Sequence, residues 1–331
     1  MINTIIEIER FILKALRKIC SKTPLYYHPS LWNEEYDFDK VSDKIYNLLK
    51  ADKPCMIARF GDGELHLTIN SLFVSKGNHC VWRYITGRQY QWWWNNEIKN
   101  KMLVFPKSDE SFINFGKLML DSYKYSDIQA IWSTQYRNLH YIDELNKDVY
   151  KIALITLDPY WSSKPWTRAL KGKKVLVLSM FDDLIKKQYD DHRTQLFQDP
   201  NILPEFELIT LKALSYDDFS ADRFPSWFDA VKYMEDEIDK IDYDICLISC
   251  GPPGYPIAAH VKRMGKKAVH LGGALQLLFG IKGKRWEDPE YGASRLKRKN
   301  AYPELFNEYW IRPDKQHTPK IAKNIEGGCY W

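Results

Sequence analysis

The chain has 331 residues, of which 45% are hydrophobic and 27% are charged, and its net charge is +5. This length is enough for one large α/β domain with a sizeable core, and the composition is typical of a globular protein. The small positive charge forms no dense basic stripe interleaved with aromatic residues, so a nucleic-acid partner is not expected.

The cysteines and the hydropathy exclude two further classes of protein. The six cysteines contain no C-x-x-C pair, which argues against a zinc ribbon and fits a reducing cytoplasm. The sequence has no run of about 18 apolar residues, so no transmembrane helix is expected. We therefore predict a cytoplasmic protein, with attachment to the inner face of the membrane as an alternative.

Residues 1–37 are predicted to form an amphipathic helix followed by a loop. Charged residues interrupt its apolar run, so we do not expect this segment to act as a signal peptide. The apolar side chains recur at steps of three and four, at Ile5, Ile8, Ile12, Leu16 and Ile19. Such a face docks on a core, pairs with a second subunit or lies on a membrane surface, and we expect one of the first two.

Residues 38–310 are predicted to form the main domain, and residues 311–331 a C-terminal tail. In its first half we expect a helix, a buried strand, a tight turn at 61–63, a helix that Glu64 opens, and a helical aromatic region with Trp92, Trp93 and Trp94. The predicted strands of the whole domain are residues 55–60, 128–132, 150–157, 174–179, 206–211, 244–249 and 268–271.

These strands are nearly continuous apolar runs, and amphipathic helices at 181–189, 227–241 and 257–264 lie between the later ones. Such an alternation predicts a parallel sheet covered on both faces. We therefore expect an α/β, Rossmann-like, doubly wound and mostly parallel sheet, with added N-terminal and C-terminal helices.

The first candidate site is Asp62 and Glu64, which are separated by Gly63 directly after a predicted strand. Ligands of open parallel sheets bind at the carboxyl ends of strands. Mg²⁺ and Mn²⁺ take carboxylate ligands, and such an ion would relieve the repulsion between two neighbouring acids. Gly61 and Gly63 would allow close approach of the backbone, and Arg59 would pair with a phosphate or neutralise the acids. Alternatively, Asp62 is a helix N-cap and Glu64 a first-turn residue.

Two later glycine turns are candidates for phosphate binding. One contains Gly251, Gly254 and Tyr255 and leads into a helix, so its backbone N–H groups could contact an anion. The other contains Gly272 and Gly273. Lys284 and Arg285 follow it and could reach a pyrophosphate, or alternatively face an anionic lipid surface or water. For the first turn the alternative is a plain strand–helix connection.

Weaker candidates lie elsewhere, and the sequence alone cannot show which of them is a general base. His270 is expected to be a core residue. The other weak candidates are Asp158, Trp161, Arg168, Asp182, Asp183 and His192.

Several of these segments resemble the GT-D glycosyltransferases, a family first described as a domain of unknown function. The resemblance rests on RFGDGE at 59–64 and on LISCGPPGYPIAAHVKRMGKKAVHLGGALQLLFGIKGKRW at 247–286, and it covers roughly residues 40–310. Stretches at 165–181 and 224–248 are similar to members from bacterial polysaccharide clusters. Pro252 and Pro253 stand where other members vary.

The resemblance implies a transferase that uses a nucleotide-sugar, expected to be a UDP-sugar, and an acceptor that is a glycan or lipid-linked. It also implies that Asp62 and Glu64 serve Mn²⁺ or Mg²⁺ and the diphosphate, and it favours inversion. Two other interpretations remain: a non-catalytic carbohydrate- or nucleotide-binding component of a polysaccharide assembly, and another Rossmann-type enzyme such as a methyltransferase or oxidoreductase.

Overall fold

The computed structural model describes residues 2–21, 34–77, 79–132 and 135–331. Its centre is a seven-stranded sheet in the order β3-β2-β1-β7-β6-β4-β5, and every pair of neighbouring strands is parallel. The strands are β1 Cys55–Arg59, β2 Ile128–Ile131, β3 Tyr150–Ala153, β4 Lys174–Ser179, β5 Glu207–Lys212, β6 Ile245–Ser249 and β7 Lys267–His270. The predicted Rossmann-like α/β fold is confirmed.

The helices cover both faces of this sheet. Their bounds are α1 Ile2–Cys20, α2 Phe38–Lys50, α3 Asp62–Ser75, α4 Val81–Ile85, α5 Asn96–Lys101, α6 Asp109–Tyr123, α7 Tyr136–Leu139, α8 Asp182–His192, α9 Trp227–Asp239, α10 Gly254–Arg263, α11 Leu275–Leu278, α12 Lys284–Glu287 and α13 Ala293–Leu296.

Two hydrophobic cores result, one on each side of the sheet. Successive strand residues point to opposite faces, so Met56 and Ala58 of β1 enter one core while Cys55 and Ile57 enter the other. The first core is closed by α3, α6, α9 and α10, and the second by α2, α8 and α11. Burial of the strands on both faces explains why their sequences are almost continuously apolar.

The predicted turn at 61–63 is wrong, because α3 begins two residues earlier than expected. Gly61 is the N-cap of α3, with extended backbone angles, and Asp62 and Gly63 already lie in the first helical turn. This difference matters for function, because it decides the directions in which Asp62 and Glu64 point.

The predicted helical aromatic region contains α4, α5 and α6, but the three consecutive tryptophans lie outside any helix. They form the connection between α4 and α5, and the side chain of Asn70 holds it in place. The Asn70 amide donates to the Trp93 carbonyl at 3.0 Å and accepts from the Asn95 N–H at 2.8 Å. A buried amide thus satisfies backbone groups that a helix would otherwise pair.

The predicted strand at 150–157 also ends early, because β3 stops at Ala153 and a 3₁₀ turn continues from Leu154 to Leu157.

The C-terminal tail folds back on the domain. Gln276 Nε2 donates to the Tyr330 carbonyl at 3.0 Å, and Trp331 Nε1 donates to the His317 carbonyl at 2.8 Å. The tail therefore borders the carboxyl end of the sheet.

Helix α1 packs against α4, but not through its predicted apolar face. Ile5, Ile8, Ile12 and Ile19 are each at least half exposed. Of the two expected alternatives, docking of this face on the core of the chain is therefore wrong, and pairing with a second subunit stays a prediction. None of the described helices has the length and apolarity that crossing a membrane requires.

Candidate functional site

The topology creates a crevice at the carboxyl ends of β1 and β7. From β1 the sheet continues outward to β2 and β3 on one side, while the strands of the second half lie on the other side. Open α/β sheets bind ligands where the strand order reverses in this way. The register places Ile57 opposite Val269 and Ile248 opposite His270, so Arg59, Cys250 and Gly272 follow on neighbouring strand ends.

Two cavities open along this edge. The smaller has a volume of about 40 Å³ and lies at the turn of Gly251, Pro252 and Pro253. The larger has a volume of about 410 Å³ and lies on the side of β2 and β3. Arg59 and Gly273 line both cavities, so these two residues mark the boundary between them.

The Arg59 guanidinium is the central cation of this edge. It lies directly over Gly272, where a Cβ atom would overlap it, and Gly272 has a φ of +62°. Among the described residues it makes no hydrogen bond and no salt bridge, although its charge lowers the pKa of Glu64. A half-buried guanidinium without such a partner is a ready site for an anion.

Asp62 and Glu64 do not converge. Glu64 is buried, and its Oε2 accepts the Gly61 N–H at 2.7 Å. Burial raises the pKa of Glu64, against the opposing effects of Arg59 and the Gly61 N–H. The Asp62 side chain is 56% exposed, and its Oδ2 lies 3.9 Å from His66 Nε2.

Positions two apart on a helix do not face each other, so these carboxylates do not fit a metal ion gripped by both. Within the described ranges, no group of three or more His, Cys, Asp or Glu could hold a metal ion. Both acids occupy the first turn of α3, so the helix-cap alternative is confirmed for Glu64 but wrong for Asp62, because Gly61 is the N-cap. The requirement for Mn²⁺ or Mg²⁺ stays a prediction from the resemblance.

Only part of the turn before α10, which was predicted to bind phosphate, lies at a cavity. Gly251, with a φ of +66°, lines the smaller cavity with Tyr216. Gly254 starts α10 under the His270 ring, which leaves no room for a Cβ atom. Tyr255 is fully buried, because its ring stacks on Phe60 and its hydroxyl donates to Gln129 Oε1 at 2.6 Å. Its side chain therefore belongs to the core and is closed to a ligand.

His270 is a buried neutral residue. Burial and the neighbouring Arg59 charge hold its pKa well below the usual value. Since its side chain is 1% exposed, the expectation of a core histidine is confirmed.

The remaining predicted residues divide between the cavity and the surface. Arg285 lines the larger cavity, where it forms a salt bridge with Glu326 and approaches the Tyr330 hydroxyl at 3.4 Å. Lys284 is exposed and lines neither cavity, and Gly63 packs near Met102. The structure thus brings together Arg59, Gly251, Gly272, Gly273 and Arg285.

Asp158, a weak candidate from the sequence, is a strong candidate in the structure. It lines the larger cavity, is 8% exposed, and accepts a short hydrogen bond from the Tyr302 hydroxyl. Burial raises its pKa to about 7, while the Tyr302 hydrogen bond opposes that shift. A carboxyl group that titrates near neutrality in a cavity has the properties of a general base. Its place just after the third predicted strand was the available signal.

Two further cavity residues had no signal in the sequence. Tyr216 lies beside Gly251, and Tyr330 comes from the C-terminal tail and packs against Gly273. Both are brought to the site by tertiary contacts alone.

Comparison of the chain with protein-family models, with curated proteins and with solved structures finds no match.

Proposed function

We propose that this chain is a glycosyltransferase that binds a nucleotide-sugar across the crevice between the two cavities. The proposal depends most on Arg59, a guanidinium without a hydrogen-bonded partner among the described residues at the point where the two cavities meet. A diphosphate at Arg59 would also lie beside Gly251 and Gly273. Charge-assisted contacts of guanidinium and backbone N–H groups are the usual means of holding phosphates.

The larger cavity supports the sugar and acceptor parts of the proposal. Its volume of about 410 Å³ is within the range of small-molecule sites. Its lining combines aromatic side chains with Asp158, Asp288 and Glu290, and such a mixture suits a polar ring with apolar faces. A sugar and the attacking hydroxyl of a glycan or lipid-linked acceptor would meet there.

In the proposed reaction, the acceptor hydroxyl attacks the anomeric carbon from the side opposite the diphosphate. A new C1–O bond forms as the C1–O bond to the phosphate breaks, and the bonding electrons leave with the diphosphate. Arg59 and the neighbouring N–H groups stabilise that developing charge. Asp158 takes the hydroxyl proton, which its pKa of about 7 allows near neutral pH.

Metal dependence is part of the hypothesis from the resemblance, but the reaction steps above do not depend on it. The Asp62 carboxylate is exposed and lies near His66, whereas the Glu64 carboxylate is buried and hydrogen-bonded to its own helix. An ion held by one carboxylate and by substrate phosphates would be typical of Mg²⁺.

Titration calorimetry with UDP and with a panel of nucleotide-sugars, followed by donor hydrolysis assays, tests the proposal. We expect UDP to bind, and Arg59→Ala to weaken binding by about tenfold or more, because a charge-assisted hydrogen bond contributes about 1.5–3 kcal/mol. Arg263→Ala is the matched control. Arg263 is exposed at the end of α10, and this variant removes the same charge far from the crevice.

Three results would contradict the proposal. Binding of NAD or S-adenosylmethionine instead of UDP would indicate another Rossmann-type enzyme. Nucleotide binding without any turnover of a bound nucleotide-sugar would indicate a non-catalytic component. Equal affinity in Arg59→Ala and in Arg263→Ala would remove the diphosphate from the crevice.

A further inference from the structure

Helix α1 presents an apolar stripe that the described chain does not cover. The exposed fractions of its isoleucines are 61% for Ile5, 55% for Ile8, 50% for Ile12 and 80% for Ile19. These positions follow the spacing of one helical face. Phe11 borders the stripe and is 72% exposed. A contiguous apolar surface of this kind marks an interaction site.

The orientation of the stripe is set by the opposite side of the helix. Leu13 is buried in a small cluster with Tyr84, Ile85 and Trp93. Arg17 donates to the Tyr84 carbonyl at 2.6 Å and to the Gln89 carbonyl at 2.5 Å. Because these contacts fix α1 through its less apolar side, the stripe faces outward.

The border of the stripe is basic and aromatic. Lys14 and Lys18 are exposed on the same row of the helix as Phe11, since they follow it at steps of three and four. On neighbouring α4, Trp82 is 68% exposed beside the exposed Arg83.

The acids of α1 do not cancel this charge. Glu7 forms a salt bridge with Arg10, and Glu9 lines the space between α1 and the three tryptophans. An amphipathic helix with isoleucine and phenylalanine on one side and lysine beside them is the type that lies in a lipid interface.

A second copy of the chain fits this surface less well. The helix has 19 residues, which is fewer than three heptads, whereas a coiled coil needs about three or four. Ala15 interrupts the row of isoleucines where a second large side chain would be needed, and Lys14 and Lys18 of two copies would add to the positive charge. The charge complements an anionic surface better than it complements itself.

We propose that α1 binds the surface of an anionic lipid bilayer, with Ile5, Ile8, Ile12 and Ile19 in the headgroup and upper acyl region. Lys14 and Lys18 contact lipid phosphates, and Trp82 of α4 lies at the same interface. The main domain stays outside the bilayer. The proposal does not depend on the reaction that the crevice supports.

Co-sedimentation of the full chain with vesicles tests this proposal. We expect binding to vesicles of phosphatidylcholine mixed with phosphatidylglycerol. This binding should weaken as the salt concentration rises, and binding to vesicles of pure phosphatidylcholine should be weaker. The double variant Ile8→Glu/Ile12→Glu should bind at least about tenfold more weakly, because it places two charges in the inserted face. Lys14→Glu/Lys18→Glu should weaken binding to the anionic vesicles only.

Matched controls use exposed residues away from α1. Met264→Glu/Leu145→Glu makes the same apolar-to-acid change at residues that are 53% and 43% exposed, and Lys171→Glu/Lys187→Glu makes the same change of charge. Both controls should bind like the unmodified chain.

Two outcomes would overturn the proposal. One is vesicle binding that the α1 variants and the controls reduce equally. The other is absence of binding to the anionic vesicles. A dimer in light scattering that Ile8→Glu/Ile12→Glu converts to a monomer would then assign the stripe to a second copy. The α1 sites are exposed, so their variants should keep the thermal midpoint of the unmodified chain. If Ile8→Glu/Ile12→Glu unfolds, the lysine variant decides between the outcomes.

Discussion

Two regions place a buried acid at the carboxyl edge of the sheet, and they use it differently. In the first turn of α3, Glu64 accepts the N–H of its own N-cap residue. In the segment after β3, Asp158 accepts a hydrogen bond from the hydroxyl of Tyr302, a residue distant in sequence. The Asp158 side chain also lines a large cavity. The first acid is occupied by local structure, whereas the second is available to a ligand. Position at a strand end is therefore weaker evidence of function than the open space beside the acid.

The largest effect should come from Asp158→Asn, which keeps the shape and removes the base. Turnover of the nucleotide-sugar should fall by about 100-fold or more, since a general base contributes roughly that much, while UDP affinity stays unchanged. Steady-state kinetics and calorimetry measure the two quantities. Asp222→Asn is the control, because Asp222 is exposed and lines neither cavity. If both variants turn over normally, the distinction between Asp158 and Glu64 loses its functional meaning.

The second prediction concerns stability and pH. The pKa of Asp158 is raised to about 7 in the folded chain, above its ordinary value of 3.8, so the folded state binds more protons between these values. Stability should therefore decrease as pH rises through this window. Urea unfolding at acidic and at mildly alkaline pH measures the free energy of unfolding. Relative to the unmodified chain, that of Asp158→Asn should increase by at least about 1 kcal/mol as pH rises. A constant difference across the window would contradict the buried environment of Asp158.

The smallest effects should separate Glu64 from Asp62. Glu64→Ala leaves the Gly61 N–H without its partner and should lower the free energy of unfolding by about 1 kcal/mol. Asp62→Ala changes an exposed side chain and should stay within about 0.5 kcal/mol.

UDP binding with Mn²⁺ and with EDTA completes the test of this pair. We expect any metal-dependent part of the affinity to be lost in Asp62→Ala and kept in Glu64→Gln. An equal loss of metal-dependent UDP affinity in both variants would instead support the sequence-based hypothesis that Asp62 and Glu64 hold one ion together.

Most of the fold was predictable, because its strands are apolar runs that the chain interrupts with glycine, proline and charged residues. β4 was predicted with its observed bounds, and β6 within one residue. The error at 61–63 came from assigning Gly61 and Gly63 to a turn, whereas Gly61 caps a helix that contains Gly63. The shift of two residues turned a converging pair of acids into a diverging one.

The candidate site was predictable only where it follows strand ends. Arg59, Gly251 and Gly273 could be placed from the order of elements alone, because parallel strands end at the same edge. Tyr255 and Lys284 could not, because helix rotation and surface exposure depend on packing. Asp158 depends on Tyr302, 144 residues later in the chain, and no local pattern records that contact.

The glycine beneath the Arg59 guanidinium has a practical consequence for protein engineering. Its φ of +62° disfavours any side chain, and the guanidinium occupies the space that a methyl group would need. Gly265 has a similar φ of +78° but open space around it, so asparagine is a reasonable choice there. A mutant library that aims to change ligand preference can therefore keep glycine at position 272 and vary the neighbouring positions that line the crevice.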